Sequence, residues 1–289
     1  MDFKTIPQNS AKVLVDIRGL LYNSFFWAKK NYDVSVRHEM ESAMLHQVFS
    51  KLKLALKTAR TNKIIFCCDS PTSKRRDIYP EYKGRRTKDE DFVAYKDFFL
   101  RVQNEIIPAI GFSNVFEVDG LEADDIIASI CAKENKIPIL ILSDDADLYQ
   151  CVKDNVYMMA IRSNSDQPKL MTPAKFQKLF GLPTSRWADV KSLAGCGTDN
   201  IPGIPGVGEG KAISYLLDTL PKTGIVYKRI EQSGDIIEFT DRLVRLPFDG
   251  EIIDFDYEAD AFDMNYIVKL INEYSLLSLE TPFWEAMFK

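Results

Sequence analysis

The sequence predicts an α/β protein in which helices flank a mostly parallel central sheet and a helical region follows. Short apolar runs alternate with longer stretches of helical periodicity, a pattern typical of strands connected by helices. Four of the apolar runs end in acidic residues, and a Gly- and Pro-rich stretch begins near residue 181. With 289 residues and 46% hydrophobic content, the chain is long enough for one large or two smaller domains with a true core.

The predicted elements follow from the positions of these runs. We predict strands near 12–16, 63–68, 114–118, 138–143 and 155–161, and helices near 38–60, 91–109, 123–134 and 172–180. Residues 1–180 form the predicted α/β domain and residues 181–289 the helical region. The charged segment at about 71–95 lies where a short strand-to-helix loop is expected, and long insertions at this edge often carry function. We expect it to be a mobile cover over the acidic residues.

Acidic residues follow the runs VLVD, IIFCCD, VFEVDGLEADD and ILILSDDAD, which end at Asp16, Asp69, Asp125 and Asp147. Because the carboxyl ends of parallel strands meet at one edge of a sheet, we expect these acids in one crevice. Two carboxylates about 4 Å apart repel each other by roughly 4 kcal/mol at an effective dielectric constant near 20, so the cluster must protonate or bind cations. Oxygen ligands favour Mg²⁺ or Mn²⁺ over zinc, and bound Mg²⁺ commonly contacts phosphate. The sequence therefore predicts a divalent metal centre that acts on a phosphate ester.

Each single aspartate at a strand end also has a simpler explanation, because it can cap the following helix. Capping needs only one acid per helix. It does not account for Glu122, Asp124 and Asp125 together with Asp145 and Asp147.

The basic residues are concentrated in one segment, although the chain has a net charge of −5. Residues 74–88 (KRRDIYPEYKGRRTK) hold seven basic and two acidic side chains, so their charge is 7 − 2 = +5 and the rest of the chain totals −10. Tyr79 and Tyr82 lie among these charges, and aromatic rings between cations suit single-stranded nucleic acid. A solvated loop is the alternative interpretation of this segment.

Other classes of site are disfavoured by composition. The five cysteines (Cys67, Cys68, Cys131, Cys151 and Cys196) show no CxxC spacing, so a disulfide framework or zinc site is not expected and most should be core residues. The only histidines, His38 and His46, fall in a predicted helix away from the acidic motifs, and no GxSxG elbow is present. The start of the sequence lacks the pattern of a signal peptide and no apolar stretch is long enough to cross a bilayer, so a cytoplasmic protein without a membrane partner is expected.

The stretch GIPGVGEGKA at 203–212 looks like a helix-hairpin-helix. Its glycines permit a tight turn, and backbone N–H groups at the start of the following helix can hold a DNA phosphate.

The motifs LVDIRGLLY, YPEYKGRR, LEADD, LSDDADLYQ and TDNIPGIPGVGEGKA, in this order, resemble the flap endonuclease and 5′-3′ exonuclease family over nearly the whole chain. Within it, the motifs resemble those of phage-encoded 5′ nucleases, including the phage RNase H type, and of the 5′-nuclease domain of bacterial DNA polymerase I. The resemblance implies a PIN-like nuclease fold with a helical arch. It also implies metal-dependent cleavage of DNA at 5′ flaps, nicks or single-stranded 5′ ends, with RNA primers as further substrates, in replication and repair. A monomer in the host cytoplasm, with replication proteins as candidate partners, is expected for a phage enzyme.

The resemblance also assigns roles to individual residues. The first metal site takes Asp16, Asp69, Glu122, Asp124 and Asp125, and the second takes Asp145, Asp147 and Asp199. The catalytic residues are Lys83, Arg86 and Asp145. The expected DNA-binding residues are Arg75, Arg76, Tyr82, Lys83, Arg86, Lys191, Gly203, Gly206, Gly208 and Lys211. Tyr82 is expected to stack on a base, Lys83 and Arg86 to hold the scissile phosphate, and the hairpin to bind a K⁺ ion through backbone carbonyls.

Two positions depart from the family pattern. Cys196 stands where the family usually has an aspartate three residues before Asp199, so we expect weaker Mg²⁺ binding at the second site and an altered preference between Mg²⁺ and Mn²⁺. Asn23 stands where relatives often carry arginine, so one phosphate contact is expected to be missing.

Alternative functions remain open at this point. A PIN-type ribonuclease shares the acidic sheet edge but lacks the hairpin. A catalytically weakened protein that binds branched DNA is the other alternative, and Cys196 keeps it open. The acidic and aromatic end from about residue 239 is expected to pack as helices on the hairpin region, with docking of a partner by Phe283, Trp284 and Phe288 as the alternative.

Overall fold

The computed structural model describes residues 8–84, 89–163, 169–277, 279–280 and 282–287. Arg86 and Phe288 lie outside the described residues, so the roles predicted for them stay predictions. Among the described residues, no helix is long and apolar enough to span a bilayer.

A six-stranded sheet with the order β3-β2-β1-β4-β5-β6 forms the centre of the molecule. The strands are β1 (Lys12–Asp16), β2 (Ile64–Cys68), β3 (Val115–Glu117), β4 (Ile139–Leu142), β5 (Val156–Met159) and β6 (Leu170–Met171). All neighbouring strands are parallel except β5 and β6. The predicted mostly parallel sheet is therefore confirmed, and each predicted strand lies within two residues of an observed one.

The strands are buried on both faces, which explains why they read as continuous apolar runs. Side chains alternate between two cores: Val13 and Val15 face one, and Leu14 faces the other. The first core is covered by α1 (Ile17–Asn31) and α2 (Arg37–Ala59), and the second by α7 (Ala123–Lys133). Four of the five cysteines are buried, as predicted for core residues, and all five are free thiols.

The charged segment contains α3 (Lys74–Ile78) and, after residues 85–88, α4 (Glu90–Ala94). It is followed by α5 (Lys96–Arg101), a π-helical turn (Val102–Ile106) and α6 (Ile107–Ile110). Its described first part is packed against the helical region rather than detached. Tyr82 forms a small apolar cluster with Ile201, Leu243 and Val244. We call residues 74–84 the arch foot.

The helical region contains α9 (Trp187–Ala194), α10 (Glu209–Leu216), α11 (Ile225–Glu231) and α12 (Gly234–Val244), and α8 (Pro173–Phe180) directly precedes it. A separate core that includes Phe176, Trp187, Ile204 and Ile230 holds these helices together.

The C-terminal part returns to the sheet instead of packing on the hairpin, so that prediction is wrong. Ala261 N–H donates to the Gly111 carbonyl at 2.9 Å, beside β3. The last helices, α13 (Met264–Tyr274) and α14 (Pro282–Met287), pack against α2. Trp284 is fully buried with its ring 5.9 Å from that of Phe49, so it is a core residue and not a docking residue in this structure.

Candidate active site

The candidate site lies at the carboxyl end of the sheet, where the chain switches direction between β1 and β4. From β1 the chain adds β2 and β3 on one side and then crosses to β4 on the other, and such a switch point opens a crevice. The register places Asp16 next to the end of β4, and Ser143 Oγ donates to Asp16 Oδ2 at 2.9 Å.

Asp16 combines a structural and an electrostatic role. Its Oδ1 accepts from Gly19 N–H at 2.8 Å and so caps α1. Burial raises the pKa of the Asp16 carboxyl to about 6, and the neighbouring charges of Asp69 and Asp145 contribute. A proton or a cation at this position therefore relieves unfavourable charge.

Asp69 and Asp124 face the same crevice but differ in their partners. Burial alone would raise the pKa of Asp69, but Arg18, the N–H of Ala123 and Lys83 outweigh it and lower that pKa. Arg18 Nη1 lies 2.8 Å from Asp69 Oδ2. Burial raises the pKa of Asp124 well above its usual value, and repulsion from Asp145 and Asp16 adds to the shift.

A second group lies beside the first. Ligand atoms of Asp147, Cys196 and Asp199 all lie within 4.8 Å of one another, which is close enough to share one cation. Burial raises the pKa of Asp147 to about 6, followed by repulsion from Asp145. Asp145 therefore acts electrostatically on both groups. The turn from Cys196 to Ile201, closed by backbone hydrogen bonds of 2.9 and 3.1 Å, places Cys196 and Asp199 on the same side.

Lys83 and Tyr82 reach into this acidic crevice from the arch foot. Lys83 Nζ lies 2.6 Å from Glu122 Oε1 and 3.9 Å from Asp199 Oδ2. Tyr82 hydroxyl donates to Glu122 at 2.8 Å and contacts Asp199 at 3.2 Å. Tyr82 is only 2% exposed, so its ring is not open to a base in this structure, and the predicted stacking stays a prediction. Its hydroxyl orients a carboxylate.

Asp125 and Arg75 do not have the roles predicted for them. Asp125 is fully buried and accepts two hydrogen bonds from Arg75, at 2.6 and 2.8 Å, so both of its carboxylate oxygens are engaged by this arginine. Neighbouring helical residues point about 100° apart, and Asp124 already faces the crevice. Arg75 is 3% exposed and cannot reach DNA in this structure, whereas Arg76 is exposed and its predicted DNA contact stays a prediction.

Lys191 is also less accessible than expected. It is 7% exposed, and its Nζ lies 3.0 Å from Asp147 and 2.9 Å from Glu209. It therefore neutralises an acid of the second group and connects the crevice to the first residue of α10, rather than presenting a cation to DNA.

The hairpin at 203–211 has the close packing that its glycines allow. A Cβ on Gly203 would lie 2.1 Å from the carbonyl oxygen of Ala194, the last residue of α9, so only glycine fits at position 203. Gly206 has φ +80°, and Gly208 precedes α10. Lys211 Nζ donates to the Gly206 carbonyl at 2.7 Å, so the exposed lysine closes the loop. The predicted DNA and K⁺ contacts of this loop stay predictions.

Three contributors were missed from the sequence. Ser143 bonds Asp16 and also accepts from Asp145 N–H at 3.0 Å, and Arg18 pairs with Asp69. Near the Asn23 position, Arg162 Nε lies 3.0 Å from Asp144, whose carboxylate also accepts from Asn23 at 3.4 Å. Ser143 and Arg18 stand within two residues of predicted ligands, which is the signal that could have identified them.

Comparisons with known proteins identify the family and the fold. Residues 11–181 match the family model described as the 5′-3′ exonuclease, N-terminal resolvase-like domain. A 5′-3′ exonuclease of Buchnera aphidicola subsp. Schizaphis graminum is 30% identical over 235 residues, covering 78% of this chain and 77% of that protein. A thermostable DNA polymerase I of Thermus thermophilus is 35% identical over 208 residues, covering 71% of this chain but only 23% of the polymerase.

Among solved structures, the T5 D15 protein co-crystallised with metal ions has the same fold. Its TM-score is 0.62 at 18% identity, and the match covers 96% of this chain and 98% of that one. The family match spans more than half of the chain and includes the sheet with its acidic strand ends. The chain therefore belongs to the 5′-3′ exonuclease family.

Proposed function

We propose that this protein is a structure-specific 5′ nuclease that hydrolyses DNA phosphodiesters with divalent metal ions, as a 5′-3′ exonuclease and flap endonuclease. The observation that carries the proposal is the convergence of Asp16, Asp69, Asp124 and Asp145, from distant parts of the chain, into one crevice that also receives Lys83. Helix capping or chain stability alone does not call for this concentration of like charge.

The donor groups fit divalent cations. The first group offers carboxylate oxygens, and burial followed by repulsion from neighbouring acids raises the pKa of Asp16 and of Asp124, which supports a cation at this position. The second group offers two carboxylates and one thiol within 4.8 Å. A thiol is a poor Mg²⁺ ligand, so we propose two sites, with Mg²⁺ bound more weakly at the second and Mn²⁺ able to substitute. The T5 D15 protein, which shares the fold, was crystallised with metal ions.

Bound divalent ions would supply the positive charge that activates water and stabilises charge on the reacting phosphate. The protein's own residues orient the reaction. Lys83, now paired with Glu122 at 2.6 Å, is placed to exchange this carboxylate for a phosphate oxygen and to neutralise charge that develops on it. Tyr82 holds Glu122 and Asp199 in position through its hydroxyl. We keep Arg86 in the proposal as a second phosphate contact.

The substrate follows from the surroundings of the crevice. The hairpin at 203–211 lies at the start of α10 and is connected to the crevice through Lys191 and Glu209, so duplex held there would extend into the acidic site. We propose DNA with 5′ flaps, nicks or single-stranded 5′ ends as the substrate, RNA primers as a further one, and a role in replication for the monomer. A K⁺ ion at the hairpin belongs to the same proposal.

One observation favours a second candidate function. Cys196 replaces an oxygen ligand with a thiol in the second group, which would suit a protein that binds branched DNA but cleaves it weakly. A PIN-type ribonuclease finds no support beyond the acidic sheet edge.

Cleavage of a labelled 5′-flap substrate, in Mg²⁺ and in chelator, tests the proposal. We expect cleavage near the flap base in Mg²⁺ only, and loss of it in Asp124→Asn. Asp154→Asn, an exposed aspartate before β5, is the control and should cleave like the wild type. Tight binding without cleavage in either Mg²⁺ or Mn²⁺ would favour the branched-DNA-binding protein, and preferential cleavage of RNA without a flap would favour the ribonuclease.

A further inference from the structure

The Arg75–Asp125 pair is charged and buried, and the proposed mechanism does not use it. Both nitrogens at the tip of the guanidinium contact the carboxylate, at 2.6 and 2.8 Å. Arg75 Nε donates to the Leu243 carbonyl at 2.8 Å, and the guanidinium lies 5.0 Å from the centre of the Phe248 ring. All three guanidinium nitrogens of Arg75 therefore donate hydrogen bonds to buried partners.

The pair joins three segments that surround the crevice. Arg75 belongs to the arch foot, Asp125 to the first turn of α7, and Leu243 to the end of α12. Asp125 also accepts from the backbone N–H of Glu122 at 3.1 Å and from that of Phe248 at 2.9 Å. The same carboxylate that binds Arg75 thus fixes the backbone of a residue whose side chain faces the crevice.

A chain of short contacts leads from Arg75 to Lys83. Tyr79 N–H donates to the Arg75 carbonyl at 2.8 Å, and Tyr82 N–H donates to the Tyr79 carbonyl at 2.9 Å. Tyr82 and Lys83 then return to Glu122. Two sets of contacts therefore connect the arch foot to the start of α7. One is the buried Arg75–Asp125 pair, and the other consists of the contacts that Tyr82 and Lys83 make with Glu122 in the crevice.

Only the second connection is open to competition from a substrate. A phosphate or a cation in the crevice would draw Lys83 and Glu122 apart, whereas in the buried pair Asp125 is 0% and Arg75 only 3% exposed. Well-packed apolar residues of similar size are often as stabilising as a buried ion pair, so stability alone does not require these charges. A two-pronged contact does fix the relative orientation of two elements.

We propose that Arg75 is a positioning residue, which acts through Asp125 to hold Tyr82 and Lys83 in register with the carboxylates of α7 during turnover. The proposal rests on the proposed function for its kinetic consequence. Its structural consequence does not depend on activity.

Hydrogen–deuterium exchange of the metal-free protein tests the structural part. In Arg75→Lys, which keeps the charge but loses the two-pronged contact, the amides of Tyr82 and Lys83 should exchange at least about tenfold faster. Arg76→Lys, on the exposed side of the same helix, is the matched control and should leave them unchanged. Unchanged exchange in Arg75→Lys would overturn the proposal whether or not the protein cleaves DNA.

Kinetics test the positioning role in an active wild type. Small displacements of reacting groups commonly cost about 10- to 100-fold in rate, so kcat of Arg75→Lys should fall by this amount with little change in KM or in DNA affinity in chelator. Asp125→Asn should cause the same loss, and the double variant should be no slower than either single variant. Additive losses, or a loss of DNA affinity with unchanged kcat, would contradict the proposal and favour separate roles or direct DNA binding.

Discussion

We predict opposite effects on stability for the replacement of two aspartates of the acidic crevice, Asp16 and Asp69. Asp16 is the last residue of β1 and Asp69 directly follows β2, yet burial and neighbouring acids raise the pKa of Asp16 to about 6, whereas Arg18, Lys83 and a backbone N–H outweigh burial and lower that of Asp69. In the metal-free protein, Asp16→Asn should therefore be stabilising and Asp69→Asn destabilising at pH 7.5.

The magnitude for Asp16 follows from its pKa. The rise of the Asp16 pKa from its usual 3.8 to about 6 corresponds to about 3 kcal/mol of unfavourable interaction of the charged form. In Asp16→Asn, the amide oxygen can still accept from Gly19 N–H and cap α1. The second carboxylate oxygen, which accepts from Ser143, is lost at a cost of about 1 kcal/mol. The net gain is about 2 kcal/mol, which corresponds to an increase in Tm of about 4 to 8 °C.

The pH dependence gives a further check on the sign. A raised native pKa means that the folded state binds more protons than the unfolded state between about pH 3.8 and 6, so the wild type loses stability as the pH rises through that window. The advantage of Asp16→Asn should be absent near pH 4, grow up to about pH 6 and stay constant above it. For Asp69 the lowered pKa contributes stability at neutral pH, which is lost only as the solution becomes acidic.

The unfolding temperatures of both variants can be measured in the presence of chelator at pH 4 to 8, with circular dichroism as the signal. Saturating Mg²⁺ should remove the advantage of Asp16→Asn, because the wild type alone binds the ion fully. A metal-free Asp16→Asn that unfolds at lower temperature than the wild type at pH 7.5, or an Asp69→Asn that unfolds at higher temperature, would refute this account of the crevice.

Three further predictions concern single residues. Cys196→Asp should lower the Mg²⁺ concentration for half-maximal cleavage by about tenfold, and an unchanged titration would show that the thiol does not face the second site. Lys83→Ala should reduce kcat by at least about 100-fold while changing DNA affinity in chelator much less, whereas equal losses in both would make Lys83 only a binding residue. Gly203→Ala should lose about 1 to 3 kcal/mol of stability, because the added Cβ would meet the Ala194 carbonyl. The control is Gly208→Ala in the same loop, which should keep its stability because no atom lies within 4 Å of the added Cβ. Equal stability of the two variants would contradict the packing of the hairpin.

The sheet and the acidic crevice could be predicted from sequence because parallel strands buried on both faces appear as continuous apolar runs. The run IIFCC, for example, forms β2 over Ile64–Cys68, and Asp69 follows at its carboxyl end. The helix directly after Asp16 was not predicted, although it extends over fifteen residues and is capped by that aspartate. A short apolar run followed at once by a helix leaves no loop to mark the boundary.

The errors at the site arose where sequence neighbours point in different directions. Asp124 and Asp125 are adjacent, but the helical turn sends one to the crevice and the other to Arg75. Arg75 and Lys191 were assigned to DNA as basic residues within the resemblance to the family, and both are buried against acids, Asp125 and Asp147, that lie 50 and 44 positions away. Charge in a sequence does not reveal its partner when that partner comes from another element.

Anomalous diffraction from crystals soaked in Mn²⁺ would test most directly whether the strand ends form metal sites. The account predicts a strong peak in contact with Asp16, Asp69 and Asp124, and a second peak beside Asp147 and Asp199. Ordered crystals at saturating Mn²⁺ with no peak in the crevice, or with Mn²⁺ bound only elsewhere, would contradict it.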